Sequence, residues 1–298
     1  MATDLSSLQN ICELLVGLQS PEDAIRKKGE KLLEEALKGS PDELVSQLTA
    51  VLAARDATGG APAELRQEAA VLLRQCGVGS GPRNAVFDDL AATTQERLKA
   101  ELLASVQLDS CNPVRRNAGN AAAAIAETLG EDCEDLQKAW PELLPALSRF
   151  VGAESEPATR VTALGVLKQL VGTIGEGLLA QGAVVMAMLK TCLTDSTPEV
   201  RAACAQLVFQ LVEDLEEEKA QVLGTVMPEA IAALASFATG PTALEEPLKE
   251  TLEALISAAD EEPEFFKSNG LQQLWPLLLQ LASAKHFAEE EVRHSAME

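Results

Sequence analysis

Few side chains in this sequence could carry out chemistry on a substrate. It contains two histidines, His286 and His294, and both stand near the end of the sequence. Nucleophilic catalysis needs a general base held beside the nucleophile, and two histidines in one terminal segment leave little scope for such a pair. We expect both on helix surfaces, and the sequence predicts that the protein is not an enzyme.

The residues that usually bind metals and phosphates are also sparse. Metal sites need clustered cysteines and histidines, and without such clusters we predict no metal and no cofactor. The glycine-rich segment 77–82 (GVGSGP) is similar to a phosphate loop only superficially, because no Lys-Ser/Thr pair follows it and no strand precedes it. It predicts a turn. The six cysteines form no CxxC pair: Cys12, Cys76, Cys111, Cys133, Cys192 and Cys204.

Acidic residues are the most informative chemical feature. The sequence has 46 acidic and 24 basic side chains and a net charge of −22 at pH 7. Such a charge argues against direct nucleic-acid binding, which needs a basic face, and it favours basic partners. Three clusters concentrate the acids: Glu131, Asp132, Glu134 and Asp135; Glu213, Asp214, Glu216, Glu217 and Glu218; and Asp260, Glu261, Glu262 and Glu264.

The apolar residues are too interrupted to form a membrane span. The best candidate, Gly177–Leu189, has 13 residues, whereas a helix needs about 18–20 to cross a bilayer. No basic stretch precedes an apolar run at the N-terminus, so the pattern of a secretory signal is missing. Scattered thiols are ordinary in a reducing compartment. We therefore predict an intracellular protein with no membrane partner.

An internal repeat predicts the elements that position the acids. Seven segments share a helix-start residue or proline, an apolar residue and then a basic residue. Apolar or small residues three, six and seven positions later continue one stripe of a helix, so each basic anchor marks a B helix. The anchors stand 40 to 49 residues apart, which is typical of HEAT and armadillo repeats. They are Arg26, Arg66, Arg115, Arg160, Arg201, Lys249 and Arg293.

A second set of helices, the A helices, falls between the B helices. Such pairs are stable only when stacked, so the predicted fold class is an all-α HEAT-repeat solenoid, a right-handed superhelix of antiparallel helix pairs with 13 or 14 helices. We place the A helices near Leu5–Leu18, Glu43–Arg55, Thr94–Leu108, Leu136–Val151, Leu178–Leu193, Ala220–Phe237 and Leu271–Ala284.

The whole of 1–298 is predicted to be one array of six full repeats and a truncated seventh. The approximate repeats are 1–39, 40–80, 81–130, 131–176, 177–214, 215–262 and 263–298. Because the sequence stops about two turns into the seventh B helix, we expect an N-terminal fragment of a longer protein.

In that fold, each acidic cluster follows a B helix and precedes the next A helix, which places all three on one edge. Acids before a helix start also offset the positive end of its dipole, so a purely structural role stays open. Recurrence on one edge favours a negative rim that attracts basic partners at long range. The candidate residues of this acidic rim are Glu213, Asp214, Glu216, Glu217 and Glu218.

Several segments resemble one family of helical-repeat proteins. Residues 66–74 (RQEAAVLLR) resemble the second-repeat B helix of the importin-β (karyopherin-β) nuclear transport receptors, and residues 20–27 (SPEDAIRK) match their first repeat. Residues 95–103 (QERLKAELL) and 140–143 (WPEL) are similar to the importin-five branch. The resemblance covers essentially all of 1–298 in the same order.

The resemblance implies a nuclear import receptor that shuttles between cytoplasm and nucleus through the nuclear pore. It implies three partners: the Ran GTPase in its GTP form, cargo proteins with basic signals, and phenylalanine-glycine nucleoporins. B helices line the concave face in this family, and its N-terminal repeats form the Ran·GTP footprint. The candidate Ran contacts, with solvated surface as the alternative for each, are Glu30, Glu34, Gln67 and Arg74, which project away from the apolar stripe of the first two B helices.

A HEAT-repeat scaffold of another class, such as a phosphatase regulatory subunit, is the alternative interpretation. A scaffold of that kind would favour more uniform repeats with short, regular turns. The spacings of 40 to 49 residues between anchors fit an importin better.

Overall fold

The computed structural model describes residues 7–55, 60–77, 86–130, 132–239 and 245–283, together with 294, 296 and 297. Within these residues the chain forms seventeen α-helices and one 3-10 helix, with no strand. The predicted all-α class is confirmed. The chain divides into two compact units: unit 1 is Met1–Glu131 with Ala139–Ala146, and unit 2 is Asp132–Lys138 with Leu147–Glu298.

Unit 1 contains three pairs of an A helix followed by a B helix. Within the unit, the B helices α4 and α6 pack on each other, and the A helices α3 and α5 do the same. This is the stacking that the repeat register predicts. The pairs are α1 (Leu8–Leu18) with α2 (Asp23–Gly39), α3 (Pro41–Ala53) with α4 (Ala63–Gly77), and α5 (Ala92–Leu108) with α6 (Asn112–Leu129).

The apolar stripe of the B helices is buried where the anchor offsets place it. On α4, Ala69 and Leu73 are fully buried, and on α6 the same offsets place Ala118 and Ala122 in the core. Burying one leucine side chain stabilises a fold by about 1.5–3 kcal/mol, so a stripe repeated on every B helix accounts for a large share of the core. Proline in the first turn of α6 costs nothing, because that N–H has no intrahelical partner.

Unit 2 contains the later A and B helices and a set of short helices between them. α8 is divided, because its first residues, Leu143–Ala146, belong to unit 1. Within unit 2, α12 packs on α9 and α15, and α14 packs on α11 and α17. The A helices are α8 (Leu143–Val151), α11 (Ala183–Leu193), α14 (Met227–Thr239) and α17 (Leu271–Ser283), and the B helices are α9 (Pro157–Gln169), α12 (Pro198–Asp214) and α15 (Glu245–Glu261).

The short helices, which we call the connector helices, each precede an A helix. They are α7 (Cys133–Ala139), α10 (Val171–Ala180), α13 (Glu217–Ala220) with the 3-10 helix Gln221–Thr225, and α16 (Pro263–Asn269). The prediction of 13 or 14 helices was wrong chiefly because it did not foresee them. The A helix predicted at Leu136–Val151 breaks at Trp140–Glu142, since Pro141 lacks an N–H and disfavours helical geometry in the residue before it.

Two further A helices are broken for different reasons. The helix predicted at Leu178–Leu193 stops at Ala180 and resumes at Ala183. Between them, Gly182 has a φ of 53°, a conformation that glycine adopts without steric cost. The helix predicted at Ala220–Phe237 begins as a 3-10 segment. The other predicted A helices lie within three residues of their expected bounds.

The connector helices of unit 2 contact one another in succession. A Cβ placed on Gly177 of α10 would lie 2.6 Å from the Cys133 Sγ of α7, so the two helices cross too closely for a side chain at that position. Lys219 of α13 donates to Glu176 of α10 at 2.7 Å. Glycine is needed at such a crossing because it has no Cβ.

The same pattern recurs between the 3-10 helix and α16. A Cβ on Gly224 would clash with the Asn269 side chain, and Asn269 Nδ2 donates to Gln221 Oε1 at 3.4 Å. Unit 2 therefore has a layer of short helices in addition to its A and B helices.

Several residues named in the sequence analysis fall outside the described residues: Leu5 and Ala284 at the ends of predicted A helices, residues 78–82 of the glycine-rich segment, Glu131 of the first acidic cluster, His286 and the seventh anchor Arg293. The repeat boundaries and the right-handed twist stay predictions.

Candidate protein-binding surfaces

Glu30 and Glu34, two of the predicted Ran contacts, lie on the exposed face of α2. Gly29 and Leu33, one residue earlier in each case, are buried. Glu34 pairs with Lys38 at 2.6 Å, and both side chains are exposed. Exposed pairs of this kind contribute about 0–1 kcal/mol, so a basic group of a partner could displace Lys38 at little cost.

Gln67 and Arg74, the other two predicted contacts, lie two turns apart on the exposed face of α4. Arg74 lies close enough to Glu127 of α6 to influence its ionisation. Burial raises the pKa of the Glu127 carboxyl, and the positive charge of Arg74 only partly offsets that rise. The structure thus arranges the four predicted contacts as two pairs on two B helices of unit 1.

The acidic rim lies where α12 passes into the connector helix α13. Asp214, Glu216 and Glu218 are exposed, whereas Glu213 is half-buried. Ser257 Oγ of α15 donates to Glu213 Oε1 at 2.9 Å. The rim therefore adjoins two B helices as well as a connector helix.

One lysine neutralises part of this rim. Lys219 lies 2.7 Å from Glu176 and 3.2 Å from Glu216. Hydrogen bonds to these two carboxylates raise the pKa of Lys219. Glu217, the fifth predicted rim residue, begins α13. Five acids beside a single lysine leave the segment strongly negative.

The other two acidic clusters begin α7 and α16 in the same manner. Asp132 Oδ1 accepts the backbone N–H groups of Glu134 and Asp135 at 2.8 and 2.9 Å, which is the geometry of an N-cap. Glu264 in the first turn of α16 pairs with Lys267 at 2.6 Å. The acids therefore do stabilise helix starts. Successive connector helices of unit 2 touch one another, so the described acids at these helix starts lie on neighbouring helices.

The sequence prediction named Asp260 only as part of the third acidic cluster and missed the acidic stripe on α15 to which it belongs. Its spacings of three, four and seven residues put the acids on one face of the helix. Ser257 lies on this helix as well and reaches Glu213, so the stripe is continuous with the rim. The helical spacing of these acids inside the sixth B helix was the signal that could have revealed them. The exposed acids of the stripe are Glu246, Glu250, Glu253 and Asp260.

A chain of polar contacts links this stripe to the neighbouring B helices. Lys168 Nζ of α9 donates to Gln206 Oε1 of α12 at 3.1 Å. Gln206 Nε2 in turn donates to Glu250 Oε2 of α15 at 3.3 Å. The side chains of three consecutive B helices of unit 2 thus meet on one face.

The basic anchors of the repeat do not belong to these surfaces. Arg66 is buried and donates to both carboxylate oxygens of Asp109 at 3.0 Å. Arg160 is also buried and pairs with Asp195. These two anchors therefore bind the turn that precedes the next B helix. Their spacing marked the repeat, but it indicated no partner for either arginine.

The histidines and cysteines form no metal-binding cluster in the part of the chain that the structure describes. His294 is exposed, as expected, and His286 lies outside the described residues. The described residues contain no group of three or more His, Cys, Asp or Glu side chains that could hold a metal ion. All six cysteines are free thiols.

No single helix among the described residues is both long and apolar enough to cross a membrane. Two pairs of consecutive helices, each pair bent at the break between its members, are long and apolar enough when the two members are taken together. They are Pro157–Gln169 with Val171–Ala180, and Glu218–Thr225 with Met227–Phe237.

The fold and its surfaces define a class: an all-α helical-repeat protein whose candidate sites are charged helix faces and edges. A family model described as "IPO5-like, TPR repeats" matches residues 110–292. The chain belongs to this IPO5-like family, and the resemblance to the importin-five branch is confirmed.

Solved karyopherin structures share the fold over the whole chain. The crystal structure of Kap121p matches 100% of this chain with a TM-score of 0.77 and 19% sequence identity. Kap121p bound to RanGTP gives a TM-score of 0.76, and Kap121p bound to Nup53p gives 0.75, both at 18% identity and again over 100% of this chain. The chain spans 26% of the length of Kap121p in each case. The predicted HEAT-repeat fold is thereby confirmed.

Proposed function

We propose that this chain is part of an importin-β-type nuclear import receptor and binds the Ran GTPase in its GTP form. The observation that carries the proposal is the whole-chain fold match to Kap121p, which has been solved with RanGTP. Exposure of the four predicted contacts on α2 and α4 supports it. These side chains offer charges of both signs and an amide, which suit the polar hydrogen bonds of a reversible protein interface.

Basic cargo would bind the acidic rim and the α15 stripe. The net charge of −22 raises the encounter rate with a positively charged partner. Exposure of most of these carboxylates supports such a role. Ran and cargo would affect each other's affinity by the same factor, since coupling between two ligands is reciprocal.

Phenylalanine-glycine nucleoporins complete the proposed set of partners. Kap121p has been solved with Nup53p. Exposed apolar side chains on A helices would contribute to slots for such repeats: Val184 on α11 and Leu271, Trp275 and Leu279 on α17. A receptor with these three kinds of partner shuttles between cytoplasm and nucleus.

A pull-down with Ran loaded with GTP or GDP tests the first part. We expect at least about tenfold stronger retention of the GTP form, which corresponds to about 1.4 kcal/mol. Replacing Glu30, Glu34, Gln67 and Arg74 together with alanine should reduce that retention, because it removes the polar contacts and leaves the buried stripe intact.

A matched control removes the same residue types from exposed positions on the A helices of unit 1: Gln9, Glu13, Glu96 and Arg97. We expect this variant to retain Ran·GTP as the unchanged chain does. Equal retention of both nucleotide forms by a folded chain would contradict the proposal. A nucleotide-independent complex with a phosphatase catalytic subunit would favour the scaffold alternative.

The salt dependence of association with a lysine-rich cargo peptide tests the acidic rim. Steering acts before contact and is screened beyond about 8 Å at physiological salt, so association should slow as salt rises. Replacing all five rim residues with glutamine should weaken that dependence. Five exposed acids of unit 1 provide the control: Glu13, Glu35, Glu64, Asp88 and Glu96. If the association rate is the same at low and physiological salt, the rim does not steer the peptide and serves only to keep the protein soluble.

A further inference from the structure

Two buried thiols of unit 2 contact each other across an A helix and its B helix. Cys192 lies in the last turn of α11, and Cys204 lies in α12. Cys192 is 3% exposed and Cys204 is completely buried. Cys204 Sγ lies 3.5 Å from the carbonyl oxygen of Leu189, which stands one helical turn before Cys192 on α11, and α11 packs on α12. Each thiol is close enough to shift the pKa of the other. The two sulfurs are therefore neighbours inside one helix pair.

The surroundings make the two thiols unequal. The Cys204 side chain lowers the pKa of Cys192, burial opposes it, and the positive charge of Arg160 lowers it further. Burial and the Cys192 contact raise the pKa of Cys204 well above its usual value. Cys192 is thus the thiol that forms a thiolate more readily, and the thiolate is the reactive nucleophile.

Cys192 is also tied to the ion pair that joins two repeats. Its carbonyl oxygen accepts the backbone N–H of Asp195 at 3.2 Å. The Asp195 carboxylate binds Arg160 of α9. A change at Cys192 therefore acts directly beside the turn between α11 and α12, whose Asp195 binds α9.

We propose that Cys192 and Cys204 form a redox-active pair that small hydroperoxides convert into a reversible disulfide linking α11 to α12. Neither the family assignment nor the proposed partners require such a site. The bond would fix the A helix and the B helix of one repeat together beside the Arg160–Asp195 ion pair.

The chemistry balances with hydrogen peroxide as the oxidant. The Cys192 thiolate attacks one peroxide oxygen, which gives a sulfenic acid and hydroxide, and the hydroxide takes up the proton that Cys192 has lost. The Cys204 sulfur then attacks the Cys192 sulfur, forms the S–S bond and expels the hydroxyl group, which leaves as water with the Cys204 proton. Two thiols lose two electrons and two protons, and one peroxide becomes two waters.

Burial makes the pair selective for small oxidants. Peroxide is little larger than water, whereas aromatic disulfides and maleimides are much bulkier than the space around a thiol that is 3% exposed. Helix ends open more readily than helix centres, and Cys192 stands one residue before the end of α11. The folded chain should therefore react with peroxide at this pair while bulky thiol reagents reach the half-buried cysteines first: Cys12, Cys111 and Cys133.

Peptide mapping of the peroxide-treated, folded chain tests the proposal. Remaining thiols are alkylated with N-ethylmaleimide under denaturing conditions before trypsin digestion. The two cysteines fall on separate tryptic peptides, 191–201 and 202–219, so a disulfide appears as a linked pair. We expect this pair to be the main oxidation product and to disappear after treatment with dithiothreitol.

Cys76, buried to a similar degree in α4 of unit 1, is the internal control for a buried thiol and should be recovered alkylated. C192S and C204S should each abolish the linked peptide. The proposal is overturned if both thiols are recovered alkylated at peroxide doses that oxidise the half-buried cysteines. Conversion of Cys192 to a sulfinic acid without a linked peptide would overturn it as well. Both readouts use the unchanged chain, so they hold even if a variant folds poorly.

Discussion

Asp109 in unit 1 and Asp195 in unit 2 occupy the same place in the repeat but are held differently. Each carboxylate accepts the N–H of the residue two positions later, at 2.9 and 2.8 Å. Each carbonyl accepts from the arginine six positions later, at 2.6 and 2.7 Å. Each carboxylate also binds the anchor arginine of the preceding B helix.

The difference is a second arginine in unit 1. Asp109 is completely buried and lies 3.0 Å from Arg66 and 4.0 Å from Arg55. Arg55 also pairs with Glu101. Burial lowers the pKa of Arg55, and the negative charge of Asp109 partly offsets this. In unit 2, the Asp195 side chain keeps 10% of its surface exposed beside a single arginine.

One repeat register thus supports junctions that differ in how strongly they respond to the loss of a charge. A buried ion pair contributes little net stability, but removing one partner strands the other charge away from water. In unit 1, two arginines and two acids are paired where little water reaches them. In unit 2, water reaches part of the Arg160–Asp195 ion pair. We therefore expect unit 1 to respond more strongly to the loss of a single charge.

The largest expected effect is that of Asp109→Asn. It leaves Arg55 and Arg66 without their shared buried carboxylate, and we expect a loss of about 3–5 kcal/mol in the free energy of unfolding of unit 1. Urea unfolding followed by the fluorescence of Trp140, in a background with Trp275→Phe, measures it. Trp140 is buried in unit 1 and Trp275 is exposed in unit 2. Asp89→Asn, at an exposed position, is the control. A loss below 1 kcal/mol would contradict the buried network.

Asp195→Asn should cost less, about 2–3 kcal/mol, which is typical of a hydrogen bond to a charged group. Hydrogen-exchange mass spectrometry in urea reports unit 2 separately from unit 1. If Asp195→Asn proved more costly than Asp109→Asn, the comparison between the units would be reversed.

The same variant has a pH signature. Burial raises the pKa of the Asp195 carboxyl, but the Thr197 N–H and Arg160 together bring it below its usual value. A carboxyl group whose pKa is lower in the folded state than in the unfolded state stabilises the fold at pH values above its unfolded pKa, which is near 3.9 for aspartate. That stabilisation is lost as the pH falls through the folded pKa. The stabilities of the parent and of Asp195→Asn should therefore converge below about pH 4. A constant difference down to pH 2 would exclude this linkage.

Arg55→Met sharpens the comparison, because it converts the unit 1 junction into one with a single arginine. Asp109 keeps Arg66, and Ser105 keeps its 3.1 Å hydrogen bond to Glu101, so we expect a loss of about 1–2 kcal/mol. Combining Arg55→Met with Asp109→Asn should cost less than the sum of the two single losses, as residues in contact are coupled. Strict additivity in this double-mutant cycle would show that Arg55 and Asp109 act independently.

The smallest expected effect concerns the connector helices of unit 2. Gly177→Ala would force Cys133 aside at a cost of about 1–3 kcal/mol, offset by about 0.5–1 kcal/mol because alanine is the better helix former. We expect a net loss near 1 kcal/mol. Gly165→Ala in α9, where a Cβ would meet no atom within 4 Å, is the control and should stabilise unit 2. Equal effects of the two changes would refute the close crossing.

The sequence predicted the repeat but not what the repeat does at its junctions. Arg66 and Arg160 stood out through their spacing, since each begins an apolar helical stripe. Their partners stand 43 and 35 residues further along. No local pattern joins an arginine to an aspartate across such a distance, and a buried arginine runs against the usual exposure of charged residues.

The connector helices were missed for a more local reason. Apolar periodicity continues through the breaks before α8, α11 and α14, so parts of the connector helices there were assigned to the A helices that follow. α16 was not predicted at all. Pro141 and Gly182 were visible signals for two of these breaks. The third break lies at Val226, between the 3-10 helix and α14, and Pro228 in the first turn of α14 was a signal for it as well. The four predicted Ran contacts are exposed as expected, because the apolar stripe alone determines which face of each helix is free.

The connector helices also give unit 2 unequal resistance to bending in its two directions. Atoms already in van der Waals contact repel steeply when pushed together, but they separate at small cost. Gly177 against Cys133, and Gly224 against Asn269, leave no room for even a Cβ atom. A deformation that shortens the connector helices' edge would press these helices together, whereas one that lengthens it would strain mainly exposed links such as Lys219 to Glu176. We therefore expect unit 2 to be stiffer when this edge is compressed than when it is extended.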